Sequence, residues 1–103
     1  MAEAAEPPQE AFSTRADFEK YIDTHAGVNA TAIKKVINCE TGGTWNPAIQ
    51  SNYYLHGVRE ESYGLSQINL PSHPNISKAQ ATNPKFALDY IIKNYGKDSW
   101  SCK

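Results

Sequence analysis

Apolar residues recur with a helical period in three stretches of the chain. Phe18, Tyr21 and Ile22 form the first stripe, and Thr14 with Asp17 ahead of them has the spacing of a capping pair. A first helix is therefore expected to start at Ser13 or Thr14 and to end at His25-Ala26-Gly27-Val28. The second stripe is Ile33, Val36, Ile37 and Glu40, at i, i+3, i+4 and i+7, which predicts a helix starting near Asn29-Ala30-Thr31. This places Glu40 on the face turned toward the core, and Gly42-Gly43 then closes the helix. The third helix has Asn83 as cap and Pro84 in its first turn. Phe86, Ala87, Tyr90 and Ile91 make its expected buried face, with Tyr95 as an extension, and Gly96 ends it.

The remaining pattern is not helical. Residues 46–63 are irregular and predict either a loop or a short β-hairpin turning near Gly57. Tyr63-Gly64-Leu65-Ser66-Gln67-Ile68-Asn69 reads as a short apolar segment carrying polar groups. Pro71, His73-Pro74 and Asn75 mark a loop, and residues 77–81 suit one or two helical turns. Residues 1–12, rich in Ala, Glu and Pro, read as a disordered tail or linker remnant. The expected domain is residues 13–103. Its fold class is mainly α, a small helical domain with a short β-hairpin or irregular loop excursion.

Composition narrows the function classes. The chain has 103 residues, with 40% apolar and 20% charged side chains, enough for one domain with a modest core. Ten basic residues against eleven acidic ones leave a net charge of −1. A nucleic-acid partner is not expected, because such binders need a basic face to release counterions from phosphates. No apolar run reaches the roughly 18–20 residues of a membrane span. Three scattered histidines, His25, His56 and His73, have no metal-ligand spacing, so neither metal nor cofactor is expected. Cys39 and Cys102 read as one disulfide or as two unrelated thiols. The disulfide is the expectation carried forward, and it points to an extracytoplasmic setting such as periplasm, cell envelope or virion.

Glu40 is the residue around which chemistry gathers. Partial burial disfavours an ionised carboxyl, and so does the negative end of a helix dipole. Trp45 nearby could screen it from water. A carboxyl so placed suits proton donation. An ordinary helix-terminal glutamate with its head in solvent is the plain alternative.

A pair of motifs favours the chemical reading. Cys39-Glu40-Thr41-Gly42 with Trp45-Asn46-Pro47, followed by Tyr63-Gly64-Leu65-Ser66-Gln67-Ile68-Asn69, resembles the lysozyme-like superfamily. The closest likeness is to small soluble-type lytic transglycosylase domains, over roughly residues 31–69. The resemblance implies a lysozyme-like α+β fold whose helices and hairpin flank a sugar cleft. It further implies a transglycosylase or muramidase that cleaves the β-1,4 bond between N-acetylmuramic acid and N-acetylglucosamine in peptidoglycan. By position, Glu40 becomes the general acid/base. Gln67, with Ser62, Tyr63, Gly64, Ser66 and Asn69, becomes cleft lining that hydrogen-bonds the sugars. Trp45 becomes a sugar-stacking or a core aromatic, and Tyr53 and Tyr54 become sugar platforms if their loop folds over the cleft.

The chain departs from that family at two places. Ser62 stands where animal-type lysozymes carry a second carboxylate, so a two-carboxylate retaining route has no partner there. Glu60 and Glu61, consecutive charges in a loop, read as a solvated edge. One carboxylate suits a route through the substrate's own acetamido group. The Tyr-bearing segment that closes soluble-type transglycosylases is also missing, leaving Tyr90 or Tyr95 to supply its contact. The mild negative charge suggests that a neighbouring domain or protein localises the enzyme to the wall. The contrasting reading is a degenerate module of this fold that binds glycan or protein without cleaving it.

Overall fold

A computed structural model describes residues 12–97 and 100 of the chain. Helix α1, Arg15–His25, starts at Thr14 with a complete capping box. The Thr14 hydroxyl accepts from the Asp17 N–H at 3.1 Å, and the Asp17 carboxylate accepts from the Thr14 and Ser13 N–H groups at 3.0 Å each. Phe18 and Ile22 are fully buried. Phe12 stacks edge-on against Phe18 and Tyr21, so the packed domain includes this residue, which the sequence pattern put in the tail. Residues 1–11 of that tail lie outside the described residues.

A 3-10 turn, Gly27–Asn29, leads into α2, Ala30–Glu40, in which Ile33, Val36 and Ile37 are buried. Asn29 precedes this helix but makes no side-chain cap bond. Helix α4, Pro84–Asn94, starts at Asn83, whose side chain accepts from the Phe86 N–H at 3.1 Å. Its buried residues are Ala87, Leu88 and Ile91, while Phe86 and Tyr90 are only half-buried. Helix α4 packs against both α1 and the single turn α3, Lys78–Ala81, so its buried arc centres on Leu88 rather than Tyr90. Phe18, Ile22, Ile33, Val36, Ile37, Trp45, Leu65, Ala87, Leu88 and Ile91 form one core.

The irregular region is a hairpin. Strand β1, Tyr54–Leu55, pairs antiparallel with β2, Val58–Arg59, around His56 and Gly57. Both turn residues have positive φ, 54° and 82°, the backbone of a type I′ turn. The segment read as one apolar stretch is a second hairpin: β3, Ser62–Tyr63, pairs with β4, Ile68–Asn69. Gly64 enters its turn at φ 84°, where an added Cβ would stand 1.9 Å from the Ala81 carbonyl oxygen. Only glycine lets this turn sit against α3. The domain is thus a mixed α+β one, helices plus two short antiparallel strand pairs. Among the described residues, no helix is long and apolar enough to cross a membrane.

Candidate functional site

An open cleft of about 1100 Å³ lies between the end of α2 and the two hairpins. Glu40, the last residue of α2 and half-buried, enters it from the helical side with Cys39 and Thr41 beside it. The helix end is held by the residues that follow. Thr41 is fully buried; its hydroxyl donates to the Ile37 carbonyl at 2.8 Å and accepts from the Trp45 N–H at 3.1 Å. The Gly43 N–H donates to the Asn38 carbonyl at 2.7 Å, and the Trp45 indole N–H donates to the Asn38 side chain at 2.9 Å. The Thr41 hydroxyl and the Gly43 N–H satisfy carbonyls at the helix end, and the two Trp45 bonds tie the following segment to side chains of Thr41 and Asn38.

Of the residues to which the resemblance assigns catalysis or sugar binding, the cleft brings together Glu40, Ser62, Gln67 and Asn69, with Tyr53 as a platform candidate. Trp45, Tyr63, Gly64 and Ser66 lie outside its lining. Trp45 is 3% exposed and packs in the core under the Arg15 guanidinium, so no sugar ring can stack on it. Ser66 is fully buried and Gly64 is buried against Ala81, so neither can hydrogen-bond a sugar. Tyr63 is half-buried outside the cleft lining, with the Lys78 ammonium over its ring. Cys39 is disulfide-bonded, as the two cysteines led us to expect. The chain's other cysteine, Cys102, lies outside the described residues.

Gln67 and Asn69 are fixed by local bonds. Gln67 has φ 50°, and its amide donates to the Gly64 carbonyl at 3.0 Å and the Ile49 carbonyl at 3.3 Å. Both amide hydrogens are thus engaged, which leaves Oε1 as the side chain's remaining hydrogen-bonding atom, an acceptor. The Asn69 amide donates to the Ser62 hydroxyl at 3.2 Å, and its Oδ1 accepts from the Ser72 N–H at 3.1 Å.

Several lining residues were missed by sequence reasoning. Gln50 and Asn52 add amides, and Leu55 and Val58 add an apolar edge from the first hairpin, beside Tyr53, a candidate platform in the sequence that does line the cleft. Tyr54 is exposed on that hairpin but does not line the cleft. Arg59 braces the loop, donating to the Ser51 and Gln50 carbonyls at 2.7 and 3.3 Å and to Asn52 Oδ1 at 3.1 Å. On the far side, His73 Nδ1 faces the Asn69 carbonyl at 2.9 Å and must carry its hydrogen there. In neutral His73, Nε2 is then the acceptor for the Tyr90 hydroxyl at 2.9 Å. Trp100 packs edge-on to Tyr90 and donates its indole N–H to the Ser66 carbonyl at 2.7 Å. Glu60, read as a solvated edge, lines the cleft with both carboxylate oxygens hydrogen-bonded. Its bond to Ser62 is local, but its bond to Ser51 depends on how the first hairpin folds back and is invisible to local pattern.

The cleft lining carries amides, hydroxyls and carboxylates together with the side chains of Tyr53, Tyr90 and Trp100. Among the described residues, no group of three or more His, Cys, Asp or Glu side chains is placed to hold a metal ion. Comparison of the chain with family models, characterised proteins and solved structures found no match.

Proposed function

We propose that this protein is a lysozyme-like glycosidase that cleaves the β-1,4 bond between N-acetylmuramic acid and N-acetylglucosamine in peptidoglycan. The observation that carries the reading is the meeting of Glu40, at the end of α2, with the polar Ser62, Gln67 and Asn69 hairpin in one open cleft. The motif pair that resembles soluble-type lytic transglycosylases lies on these same two elements. Glu40 protonates the leaving glycosidic oxygen and then acts as base on water or on the muramyl 6-hydroxyl. Gln67 Oε1 accepts from a sugar hydroxyl or acetamido N–H. The bonded Cys39 is consistent with action outside a reducing compartment, at the cell envelope or on a virion.

The test is digestion of purified peptidoglycan, with released muropeptides read by mass spectrometry. Products lower in mass by one water identify a transglycosylase, and intact reducing ends identify a hydrolase. Glu40→Gln is expected to keep the fold and release nothing. Wild-type protein that sediments with the wall and releases no muropeptides would make this a binding module, and lysis by Glu40→Gln at the wild-type rate would remove Glu40 from the mechanism.

A further inference from the structure

Among the described residues, five large apolar side chains are exposed, and four of them, Tyr53, Tyr54, Leu55 and Val58, sit on the first hairpin. The register divides them. Leu55 lies opposite Val58, and residues opposite each other in an antiparallel pair share a face. Tyr53, two residues before Leu55, belongs to that face as well. Tyr54 lies opposite Arg59 and projects from the other face. Tyr53, Leu55 and Val58 line the cleft and Tyr54 does not. The inner face of the hairpin is therefore an apolar rim of the same cleft that holds Glu40.

The rim is held in place at both ends. Arg59 Nε donates to the Ser51 carbonyl at 2.7 Å, the Glu60 N–H donates to the Tyr53 carbonyl at 2.8 Å, and the Gln50 amide donates to the Glu60 carbonyl at 3.1 Å. These bonds fix the base of the hairpin, and the type I′ turn at His56 and Gly57 fixes its tip. Leu55 is nevertheless 57% exposed and Val58 66%. A solvated strand pair does not need aliphatic side chains at these positions; threonine has a similar strand preference and suits water better. Because both side chains line the cleft, what covers them is the occupant of the cleft. An occupant matched to this lining presents apolar groups to the hairpin rim and polar groups to Gln50, Asn52, Gln67 and Asn69.

We propose that Leu55 and Val58 are specificity-determining residues that read the peptide stem of peptidoglycan, so that peptide-bearing strands are cleaved in preference to bare glycan. The inference rests on the cleaving reading above. A β-1,4 glycan of N-acetylhexosamines is edged by hydroxyl and acetamido groups. A muramyl residue adds a lactyl ether, and the peptide joined to the lactyl carboxyl brings further methyl-bearing carbon to that side of the strand. Contact between these groups and Leu55 and Val58 removes apolar surface from water on both partners. A strand without peptide leaves the rim wet. It also frees the lactyl carboxylate in a cleft whose lining carries Glu40, Glu60 and Glu61 against Arg59.

The test compares kcat/KM on soluble peptide-bearing strands with kcat/KM on the same strands after an amidase has removed the peptides. Wild type is expected to prefer the peptide-bearing strands about 10-fold, the discrimination that a small apolar contact supplies. The double variant Leu55→Thr, Val58→Thr keeps strand-forming residues and is expected to bring the preference close to one, with a thermal midpoint near wild type. Tyr54→Thr, on the outer face, is expected to keep the wild-type preference, and an equal loss there overturns the assignment to the inner face. Equal rates of the wild type on the two substrates, or faster cleavage of the stripped strands, overturn the inference without any variant. So does a full preference in the folded double variant, which would assign the effect to the freed lactyl carboxylate. If the double variant does not fold, Leu55→Thr alone is read in the same way. Absence of cleavage of either substrate by the wild type overturns the glycosidase reading and this inference with it.

Discussion

The backbone N–H of Trp45 donates to the hydroxyl of Thr41 at 3.1 Å, and the same hydroxyl donates to the Ile37 carbonyl at 2.8 Å. One buried side chain thereby joins the last turn of α2 to the segment that leaves it. Thr41→Val keeps the shape and removes the oxygen, so the Trp45 N–H loses its acceptor inside the core. An unsatisfied buried donor costs about 1–3 kcal/mol. The expected result is a thermal midpoint lower by at least about 4 °C, since a domain of this size shifts about 4–8 °C per kcal/mol. Activity should fall further than stability, because Glu40 immediately precedes Thr41. An unchanged midpoint would mean the Trp45 N–H finds another acceptor.

Two glycines with nearly equal backbone angles separate conformational strain from close contact. Gly57 has φ 82° and nothing within 4 Å of an added Cβ, whereas Gly64 has φ 84° and the Ala81 carbonyl oxygen at 1.9 Å. Alanine at either site meets the left-handed backbone penalty, about 1–2 kcal/mol. At Gly64 it must also displace backbone of α3, an overpacking term of typically about 1–3 kcal/mol. Gly64→Ala is expected to unfold at clearly lower urea concentration than Gly57→Ala. Equal midpoints would show that α3 gives way without resistance.

What the sequence made legible, and what it hid, follows from how local each interaction is. Thr14 with Asp17, Asn83 with Pro84 and Gly42 with Gly43 act within four residues, and the helix ends fall where these residues place them. Leu88 was missed because α4 packs on two neighbours at once, and one stripe of period 3.6 cannot report a second partner. Trp45 suits either a sugar-facing or a core position in the sequence, and its burial and the indole bond to Asn38, seven residues back, put it in the core. Glu60 reads as a solvated charge in the sequence because one of its partners, Ser51, is nine residues away and reaches it only through the hairpin, while the other, Ser62, is a close neighbour in the chain. The wall that brings Gln67 to Glu40 was legible as a motif pair; the wall carrying Glu60 depends on register.

Acid stability should report on the α1 capping box. The Ser13 N–H, then the Thr14 N–H and Thr14 hydroxyl, hold the Asp17 carboxyl below its ordinary value of 3.8. Because the folded value is depressed, this group's contribution to stability is present above about pH 4. It is lost as pH falls through the lower, folded value. Asp17→Asn removes the ionised cap. The difference in thermal midpoint between wild type and Asp17→Asn is therefore expected at neutral pH and expected to shrink below pH 4. A difference constant from pH 7 to pH 2 would tie the effect to shape rather than to charge.

Reduction should act on the site as well as on the fold. Cys39 is disulfide-bonded, lines the cleft and immediately precedes Glu40. The sequence contains one other cysteine, Cys102, so an intrachain bond would close a loop spanning most of the domain. On the chain-entropy account such a loop stabilises by roughly 4 kcal/mol, mainly by restricting the unfolded chain. Alkylation of denatured, unreduced protein is expected to add no label, and prior reduction is expected to add two. The reduced protein should melt at a markedly lower temperature and lose peptidoglycan-releasing activity before it unfolds, because the bond adjoins the acid it helps to hold. Two labelled thiols without reductant would contradict the bond. A reduced protein with unchanged melting and activity would show that the turn after α2, held by Thr41 and Trp45, keeps Glu40 in place without it.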